Sequence, residues 1–251
     1  MSEYDAAAQA WAEGPAPVYA RFAAAMLEHS PVPLAGAHVL DVGAGTAVAS
    51  DAALALGARR AVASDVAVEM LRRRSPSIPA VLADAGRLPF GENTFDLVMA
   101  AFSLGHLPDP VAALTEWHRV GATAVASTFA PGPPHPAKTA VDQAMGQFGF
   151  VSPPWYERVK HDLEPQVEDP ASLAALATAA GFRQVSITPM AIDAGLSTPA
   201  EIVSWRLGMA HLAQFVADLP ASRRAEARQA AEDSVADLGP VTIEIHVLSA
   251  S

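Results

Sequence analysis

Short apolar segments alternate with amphipathic stretches along the chain from about residue 37 to residue 129. The apolar segments are of strand length and predict strands at 37–42, 61–65, 80–84, 95–101 and 122–129. The stretches between them have helical spacing, and one begins at Asp109-Pro110, a helix cap followed by a first-turn proline. Regular alternation of this kind predicts a doubly wound α/β fold with a parallel sheet.

The pattern changes on both sides of this segment. Residues 4–29 predict a helix that Gly14-Pro15-Ala16-Pro17 divides in two. Residues 131–168 are rich in proline and glycine and are interpreted as a loop-rich insertion. The remaining predicted elements are a helix at 169–181, a strand at 183–188, a long helix from the Thr198–Glu201 capping box to about 218, a helix at 220–236 and a strand at 241–248.

The composition restricts the class of protein. The 251 residues are 51% hydrophobic and 17% charged, which favours a folded chain over a disordered one. The net charge of -11 disfavours nucleic acid as a partner, and the absence of cysteine excludes disulfides and thiolate metal sites. Neither a basic signal segment nor a run of about 20 apolar residues is present, so we expect a cytoplasmic protein without a membrane partner.

The segment VLDVGAGTA, residues 39–47, predicts a strand, a glycine turn and the beginning of a helix. Gly43 and Gly45 allow a ligand to approach the backbone closely, although glycines of this spacing also occur in purely structural turns. Asp65 ends the second strand 20 residues after Gly45, where a carboxylate is able to bind ribose hydroxyls. A nicotinamide enzyme would share that acid, but Val48 stands where a dinucleotide-binding fold has its third glycine, and Asp84 has no role there.

Several segments in order resemble class I S-adenosylmethionine (SAM)-dependent methyltransferases, in particular the small-molecule group that includes the ubiquinone and menaquinone biosynthesis enzymes. The segments are VLDVGAGTA, ASDVAVEML, LADAGRLPF, NTFDLVMAAFSLGHLPDP and DPASLAALATAAGF. The resemblance implies a mainly parallel, seven-stranded, Rossmann-like sheet with helical cap insertions in a single domain, 1–251. Its parts would be an N-terminal helical lid (1–34), a SAM-binding core (35–130) and substrate caps (131–168 and 193–238).

The resemblance also implies, position by position, how SAM would be bound. Asp41, Gly43 and Gly45 would line the methionine end, Asp65 would bind the ribose, Val66 and Met70 would pack the adenine, Asp84 and Ala85 would hydrogen-bond to it, and Ala101 and Phe102 would lie beside the reactive methyl. Tyr19 or Arg21 of the lid would meet the SAM carboxylate. The alternative for each acid is a solvated strand end or a helix cap. Two departures from the family are Ala47, which replaces a third glycine, and the missing Leu-x-Pro-Gly-Gly turn before the fifth strand.

The acceptor side of the site is less defined by the sequence. Candidate catalytic bases are His106, His135 and His161. Candidate substrate-binding residues are Phe148, Phe150, Trp155, Tyr156 and His211, although the aromatic cluster also fits a small satellite core. No histidine pair has metal-ligand spacing, so no metal site is expected.

The favoured hypothesis is a methyltransferase enzyme that transfers a methyl group from SAM to an oxygen, nitrogen or carbon of a small, fairly apolar molecule. One alternative is a methyltransferase-like protein that binds SAM but catalyses a cyclisation or rearrangement. Another is a non-catalytic SAM-binding subunit, and a nicotinamide oxidoreductase ranks last. The identity of the acceptor stays open, as does the choice between a monomer and a homodimer.

Overall fold

The computed structural model describes residues 2–251, and its centre is a single sheet of seven strands. The strands are β1 (His38–Val42), β2 (Arg60–Asp65), β3 (Ala80–Leu82), β4 (Leu97–Ala101), β5 (Ala124–Phe129), β6 (Val185–Asp193) and β7 (Thr242–Ala250).

The strand order is β3-β2-β1-β4-β5-β7-β6. The first five strands in this order are parallel, and β7 lies antiparallel between β5 and β6. The predicted α/β class with a mainly parallel, seven-stranded sheet is confirmed. The carboxyl ends of β1 to β5 therefore meet at one edge of the sheet, where open α/β folds form their ligand crevice.

Eleven helices surround the sheet in the described residues. They are α1 (Ala8–Glu13), α2 (Pro15–Leu27), α3 (Val48–Ala55), α4 (Val68–Leu71), α5 (Pro110–Gly121), α6 (Pro136–Gln147), α7 (Pro154–Arg158), α8 (Pro170–Ala179), α9 (Pro199–Leu207), α10 (Ala210–Asp218) and α11 (Ala221–Ser234). Shorter helical turns occur at Asp5–Ala7, Leu104–His106, Val159–Leu163 and Glu164–Gln166.

The predicted caps begin the helices that they were expected to begin. The carboxylates of Asp109 and Asp169 accept hydrogen bonds of 2.9 and 2.8 Å from first-turn N–H groups of α5 and α8. Thr198 and Glu201 form a complete capping box at α9. These bonds satisfy N–H groups that have no partner within the helix, and each typically contributes about 1 kcal/mol.

The core is divided into two layers by the sheet, because alternate strand residues point to opposite faces. In β1, Val39 packs into the layer beneath α2 and α3, whereas Leu40 packs into the layer beneath α5 and α8. Both residues are fully buried. This burial on both faces explains why the parallel strands appear in the sequence as short, mainly apolar segments.

The expectation of a loop-rich insertion at 131–168 was wrong, because most of this segment is helical. Pro136 and Pro154 lie in the first turns of α6 and α7. A backbone N–H at this position has no partner within the helix, so a proline loses no hydrogen bond there, and its fixed φ suits the helix. Prolines that predicted loops therefore begin helices.

The single helix predicted from Thr198 to about 218 is two helices, α9 and α10, which are separated at Gly208-Met209. The break occurs where the N-terminal segment crosses the chain. A Cβ atom on Gly208 would lie 2.4 Å from Cδ of Pro15 and 2.6 Å from the carbonyl oxygen of Ala10. β6 is also longer than the predicted 183–188, because it pairs with β7 along its whole length.

Candidate functional site

The loop after β1 combines several residues in the left-handed backbone region. Gly43 and Gly45 have φ values of +67° and +55°, and Ala47, at the start of α3, has +65°. This region is costly for a residue with a side chain. The alanine is fully buried and adopts it nevertheless. Backbone strain of this kind is typical of ligand-binding loops.

The two glycines of the loop have different surroundings. A Cβ atom on Gly43 would lie 2.3 Å from the Cβ of Ser103, whose hydroxyl donates to the Val42 carbonyl at 2.7 Å. A Cβ atom on Gly45 would have no neighbouring atom within 4 Å. Gly43 therefore allows β1 and β4 to approach each other, and Gly45 leaves space open in the crevice. Ser103 was missed by the sequence analysis.

Asp41 lies under this loop and is 1% exposed. Its carboxylate accepts hydrogen bonds from the backbone N–H of Ser50 at 3.0 Å and from the Ser50 hydroxyl at 2.8 Å. Burial raises the pKa of Asp41 to about 7, against the opposing effect of these bonds. The contacts connect β1 to the first turns of α3, so the residue supports the loop from below.

Asp65 lies at the end of β2, beside the glycine loop. One of its carboxylate oxygens accepts from the N–H of Gly45 at 2.7 Å, and the other accepts from the N–H of Ala67 at 2.8 Å. Burial raises the pKa of Asp65. A carboxylate has about four acceptor positions, so two fixed bonds orient it and leave positions for two ligand hydroxyls.

Exposed apolar and polar side chains lie at the carboxyl ends of β2 and β3, beyond Asp65. Val66 is 54% exposed and Leu82, at the end of β3, is 61% exposed, which is unusual for large apolar side chains in this protein. Asp84 is exposed, and its carboxylate accepts from the N–H of Gly86 at 2.8 Å. Ala85 is buried, and its carbonyl accepts from the indole N–H of Trp117. Leu82 was not singled out by the sequence analysis.

Met70 is placed differently from Val66, because it is buried beneath the N-terminal segment. It packs with Ala67 against Ala7 and Ala8. Asp5 strengthens this contact, since its carboxylate accepts from the N–H of Glu69 in α4 at 3.0 Å. The N-terminal segment thus covers α4, directly after the Asp65 end of β2.

Ala101 and Phe102 lie at the end of β4, where Phe102 belongs to a cluster of aromatic side chains. Phe102 has a φ of +60°, which is a rare conformation for a bulky residue. Its ring lies 4.6 Å from that of Phe129 and 5.3 Å from that of Tyr19, measured between centroids. Tyr19 is buried in α2, whereas Arg21 is exposed and packs over Gly195. Tyr19 is thus the one of the two that reaches this end of the sheet.

His106 contacts the N-terminal segment through Tyr4. The Tyr4 hydroxyl and Nδ1 of His106 are 2.5 Å apart. Burial raises the pKa of Tyr4 and lowers the pKa of His106, so both groups are favoured in their neutral forms. Because Nδ1 is engaged, only Nε2 of His106 is left to contact a substrate.

A small cavity lies next to His106, between the ends of β4 and β5. Its lining residues are Phe102, Gly105, His106, Thr128, Phe129, Glu164, Val167 and Glu168. The buried hydroxyl of Thr128 has no hydrogen-bond partner in residues 2–251.

The other two candidate catalytic histidines, His135 and His161, do not line this cavity. His135 caps α6, where its Nδ1 accepts from the N–H of Ala137. His161 lies on the outer surface beside Glu157, with 73% of its side chain exposed.

The candidate aromatic residues of segments 131–168 and 193–238 are only partly brought together. Tyr156 stacks on His211 with ring centroids 3.8 Å apart, and Trp155 makes an edge contact with Tyr4. Phe150 lies 6.3 Å from His211. Phe148 lies apart from this group, beneath the guanidinium of Arg223.

The buried and half-buried charged residues of segments 131–168 and 193–238 were not predicted from the sequence. Arg206 of α9 is 4% exposed and is paired with Asp142 of α6 through two bonds. Lys160 is paired with Glu164, one of the cavity-lining residues. The sequence gives little warning of the first pair, because its members are 64 residues apart.

Within the described residues, no group of three or more histidine, aspartate or glutamate side chains is arranged to hold a metal ion. Over the same 2–251 range, none of the helices combines the length and apolar character needed to cross a membrane.

Comparison with known proteins agrees with this geometry. Residues 40–123 match the family model described as a methyltransferase domain. A curated relative, the demethylmenaquinone methyltransferase of Mycobacterium sp. (strain KMS), is 39% identical over 85 residues. That match covers 34% of this chain and 37% of the relative, so the chain spans little more than a third of the relative's length.

Solved structures resemble the chain over much more of its length, at low sequence identity. A candidate methyltransferase of an antibiotic biosynthesis pathway from Anabaena variabilis has a TM-score of 0.62 at 14% identity, covering 91% of this chain and 96% of that one. The phosphoethanolamine N-methyltransferase 2 of Haemonchus contortus, solved with phosphomonomethylethanolamine and S-adenosylhomocysteine, has a TM-score of 0.55 at 14% identity, covering 91% and 52%. The (4+2)-cyclase SpnF has a TM-score of 0.51 at 17% identity, covering 92% and 80%.

These likenesses show the fold, and the matched segment contains the glycine loop, Asp65, Asp84 and Phe102. Residues 40–123 therefore resemble a methyltransferase domain, and the chain as a whole has the fold of the solved methyltransferases named above.

Proposed function

We propose that this protein is a SAM-dependent methyltransferase that methylates an oxygen, nitrogen or carbon of a small molecule. The observation that carries the proposal is Asp65, whose carboxylate is fixed by Gly45 and Ala67 at the carboxyl edge of the sheet with acceptor positions left over. It lies inside the segment that matches the methyltransferase domain.

The residues along this edge fit SAM in chemical character. Asp65 would accept the ribose hydroxyls, and the open space at Gly45 suits close approach of the methionine end. Exposed Val66 and Leu82 would pack against the adenine, with Asp84 accepting from its amino group. These surroundings require no phosphate clamp, in agreement with the net charge of -11.

Bound SAM would supply a methyl group on a sulfonium centre, which reacts by in-line displacement. The chain would contribute mainly by positioning the acceptor, an effect that accounts for much of the rate of such reactions. Phe102, Phe129 and Tyr19 form an aromatic wall that would exclude water from the reacting atoms. For an acceptor that must lose a proton, Nε2 of His106 is the nearest candidate base, because it adjoins the small cavity.

The proposed function assigns a role to each part of the chain. Residues 1–34 would form a lid over SAM, 35–130 the SAM-binding core, and 131–168 and 193–238 the substrate caps. The contacts of Asp5, Ala7 and Ala8 with α4 support the lid, and the stack of Tyr156 on His211 supports a joint cap.

Binding of SAM by isothermal titration calorimetry tests the proposal. We expect saturable binding to the wild type and a roughly 100-fold loss in Asp65→Ala, because two hydrogen bonds to a carboxylate disappear. Asp65→Asn keeps the shape of the side chain and should lose less affinity for SAM than Asp65→Ala. Asp233→Ala, which removes an exposed carboxylate on α11, is the control and should bind normally. No affinity of the wild type for SAM would contradict the proposal.

Cyclisation remains the alternative that shares the same SAM site. The likeness to SpnF shows the fold alone and does not favour either chemistry. Incubation with SAM labelled at the methyl group separates the two, since a product without label would exclude methyl transfer.

A further inference from the structure

Three cationic side chains from different elements converge where the two caps meet the end of β5. They are Lys138 of α6, Lys160 of the Val159–Leu163 turn and Arg206 of α9, and they are called the cation cluster below. Nζ of Lys138 lies 4.5 Å from the ring centroid of Phe129, and Nζ of Lys160 lies 5.9 Å from the same centroid. Nζ of Lys138 is also 5.6 Å from the ring centroid of Trp205.

The charges of the cation cluster are incompletely balanced. Arg206 is paired with Asp142, and Lys160 is paired with Glu164. The side-chain ammonium of Lys138 forms no ion pair and no hydrogen bond with any group of residues 2–251, although the residue is only partly exposed. Burial, together with the charges of Arg206 and Lys160, lowers the pKa of Lys138 to about 7, so a bound anion would stabilise its protonated form. When Lys138 is protonated, the three cations and two carboxylates leave one positive charge without a partner in the described residues.

Unpartnered polar atoms lie beside this charge. The indole N–H of Trp205, a group that can only donate, is buried and has no acceptor in the described part of the chain. Nε2 of His211, whose ring stacks on Tyr156, is also buried without a partner in that part of the chain, and it donates in the tautomer that carries its proton there. Buried polar groups without partners are rare and costly in proteins, so a ligand that accepts hydrogen bonds would relieve them.

We propose that the cation cluster is a subsite for an oxyanion group, a carboxylate or a phosphate, carried by the methyl acceptor. Lys138 would supply the uncompensated charge, and Arg206 and Trp205 would fix the position of the anion. An oxyanion fits because it brings only negative charge and acceptor atoms to a site that presents unpaired donors.

The location suits an acceptor. Phe129 and Glu164 contact lysines of the cation cluster and also line the small cavity. The cavity continues to Phe102 and His106 at the end of β4. An acceptor anchored on the cation cluster would therefore extend toward the atoms that face bound SAM. This assignment of the bound molecule as the acceptor rests on the proposed function, whereas the binding of an oxyanion does not.

Calorimetric titration with matched small probes tests the proposal on the intact chain. The probes are benzoate, its neutral counterpart benzamide, phenyl phosphate and inorganic phosphate, each with and without S-adenosylhomocysteine. We expect benzoate or phenyl phosphate to bind about tenfold or more tightly than benzamide. The tighter of the two anions identifies the source as a carboxylate or a phosphate. Equal binding of benzoate, phenyl phosphate and benzamide would overturn the proposal, and inorganic phosphate binding as tightly as phenyl phosphate would overturn its acceptor part.

Variants locate the binding. Lys138→Met should reduce the affinity for the anionic probe about tenfold or more, and Lys138→Arg should retain most of it. Arg183→Met removes one exposed charge at the opposite edge of the sheet, beside the start of β6, and should bind like the wild type. Thermal unfolding shows whether each variant is folded. Unchanged affinity in folded Lys138→Met would overturn the proposal, whereas anion binding without any SAM binding would contradict only the proposed function.

Discussion

At the scale of single residues, the glycines of the β1 loop show that similar positions serve different purposes. Gly43 accommodates Ser103, which bonds to the neighbouring strand, whereas Gly45 faces open space and donates to Asp65. The first is therefore required by packing, and the second by the ligand that the loop is proposed to hold.

Alanine substitutions separate these two requirements. Gly43→Ala should lower the free energy of unfolding by about 2–4 kcal/mol, because a left-handed φ and a clash with Ser103 are combined. Gly45→Ala should lower it by only about 1–2 kcal/mol, since the strain of φ alone applies. Urea unfolding monitored by circular dichroism measures both. Ser103→Gly in the Gly43→Ala background should restore part of the loss, and equal losses in the two single variants would contradict the distinction.

At the scale of elements, the sequence predicted best what depends on local chemistry. The strands β1, β2, β4 and β5 are largely buried on both faces, and like the half-exposed β3 they appear in the sequence as mainly apolar runs. Asp65 and Asp84 stand out because they follow such runs. The cap helices α6 and α7 were not foreseen, since a proline in a first turn and a proline in a loop look alike without the tertiary contacts. Lys138 and Arg206 were missed for the same reason, because only packing of α6 against α9 brings them together.

The N-terminal segment, which is the proposed lid, is held in place by a few specific contacts, of which the Tyr4–His106 bond is the clearest. Tyr4→Phe removes the hydroxyl and keeps the edge contact of the ring with Trp155. Loss of this hydrogen bond should destabilise the closed position of the N-terminal segment by about 1 kcal/mol, so hydrogen exchange through its local opening should be roughly fivefold faster. Hydrogen exchange of residues 4–13, followed by mass spectrometry, measures this.

Residues of β7 provide the internal control for that experiment, since they belong to the central sheet and should exchange at the wild-type rate. Unchanged exchange of residues 4–13 would show that the bond does not hold the lid.

At the scale of the whole molecule, a buried acid connects stability to pH. The pKa of Asp41 is raised to about 7 in the folded chain, above the value of an unfolded aspartate, so the folded state binds the extra proton between these values. The contribution of Asp41 to stability is therefore present in full below the unfolded pKa and is lost as pH rises toward 7.

Asp41→Asn should remove this dependence, since an amide does not titrate. Between pH 5 and pH 7, the free energy of unfolding of the wild type should fall relative to that of the variant, by up to about 1.4 kcal/mol per pH unit. Urea unfolding at several pH values gives the difference, and parallel curves for the two proteins would contradict the raised pKa.

The position of β7 has a consequence for the order in which the protein can assemble during synthesis. Within residues 2–251, β7 is the last strand along the chain, yet it lies inside the sheet, and β6 pairs with β7 alone. β1 to β5, with the glycine loop and Asp65, can pair as soon as they leave the ribosome, whereas β6 must wait for Thr242–Ala250. The proposed SAM-binding half is thus able to form first, and the far side of the sheet is completed only when the last strand inserts.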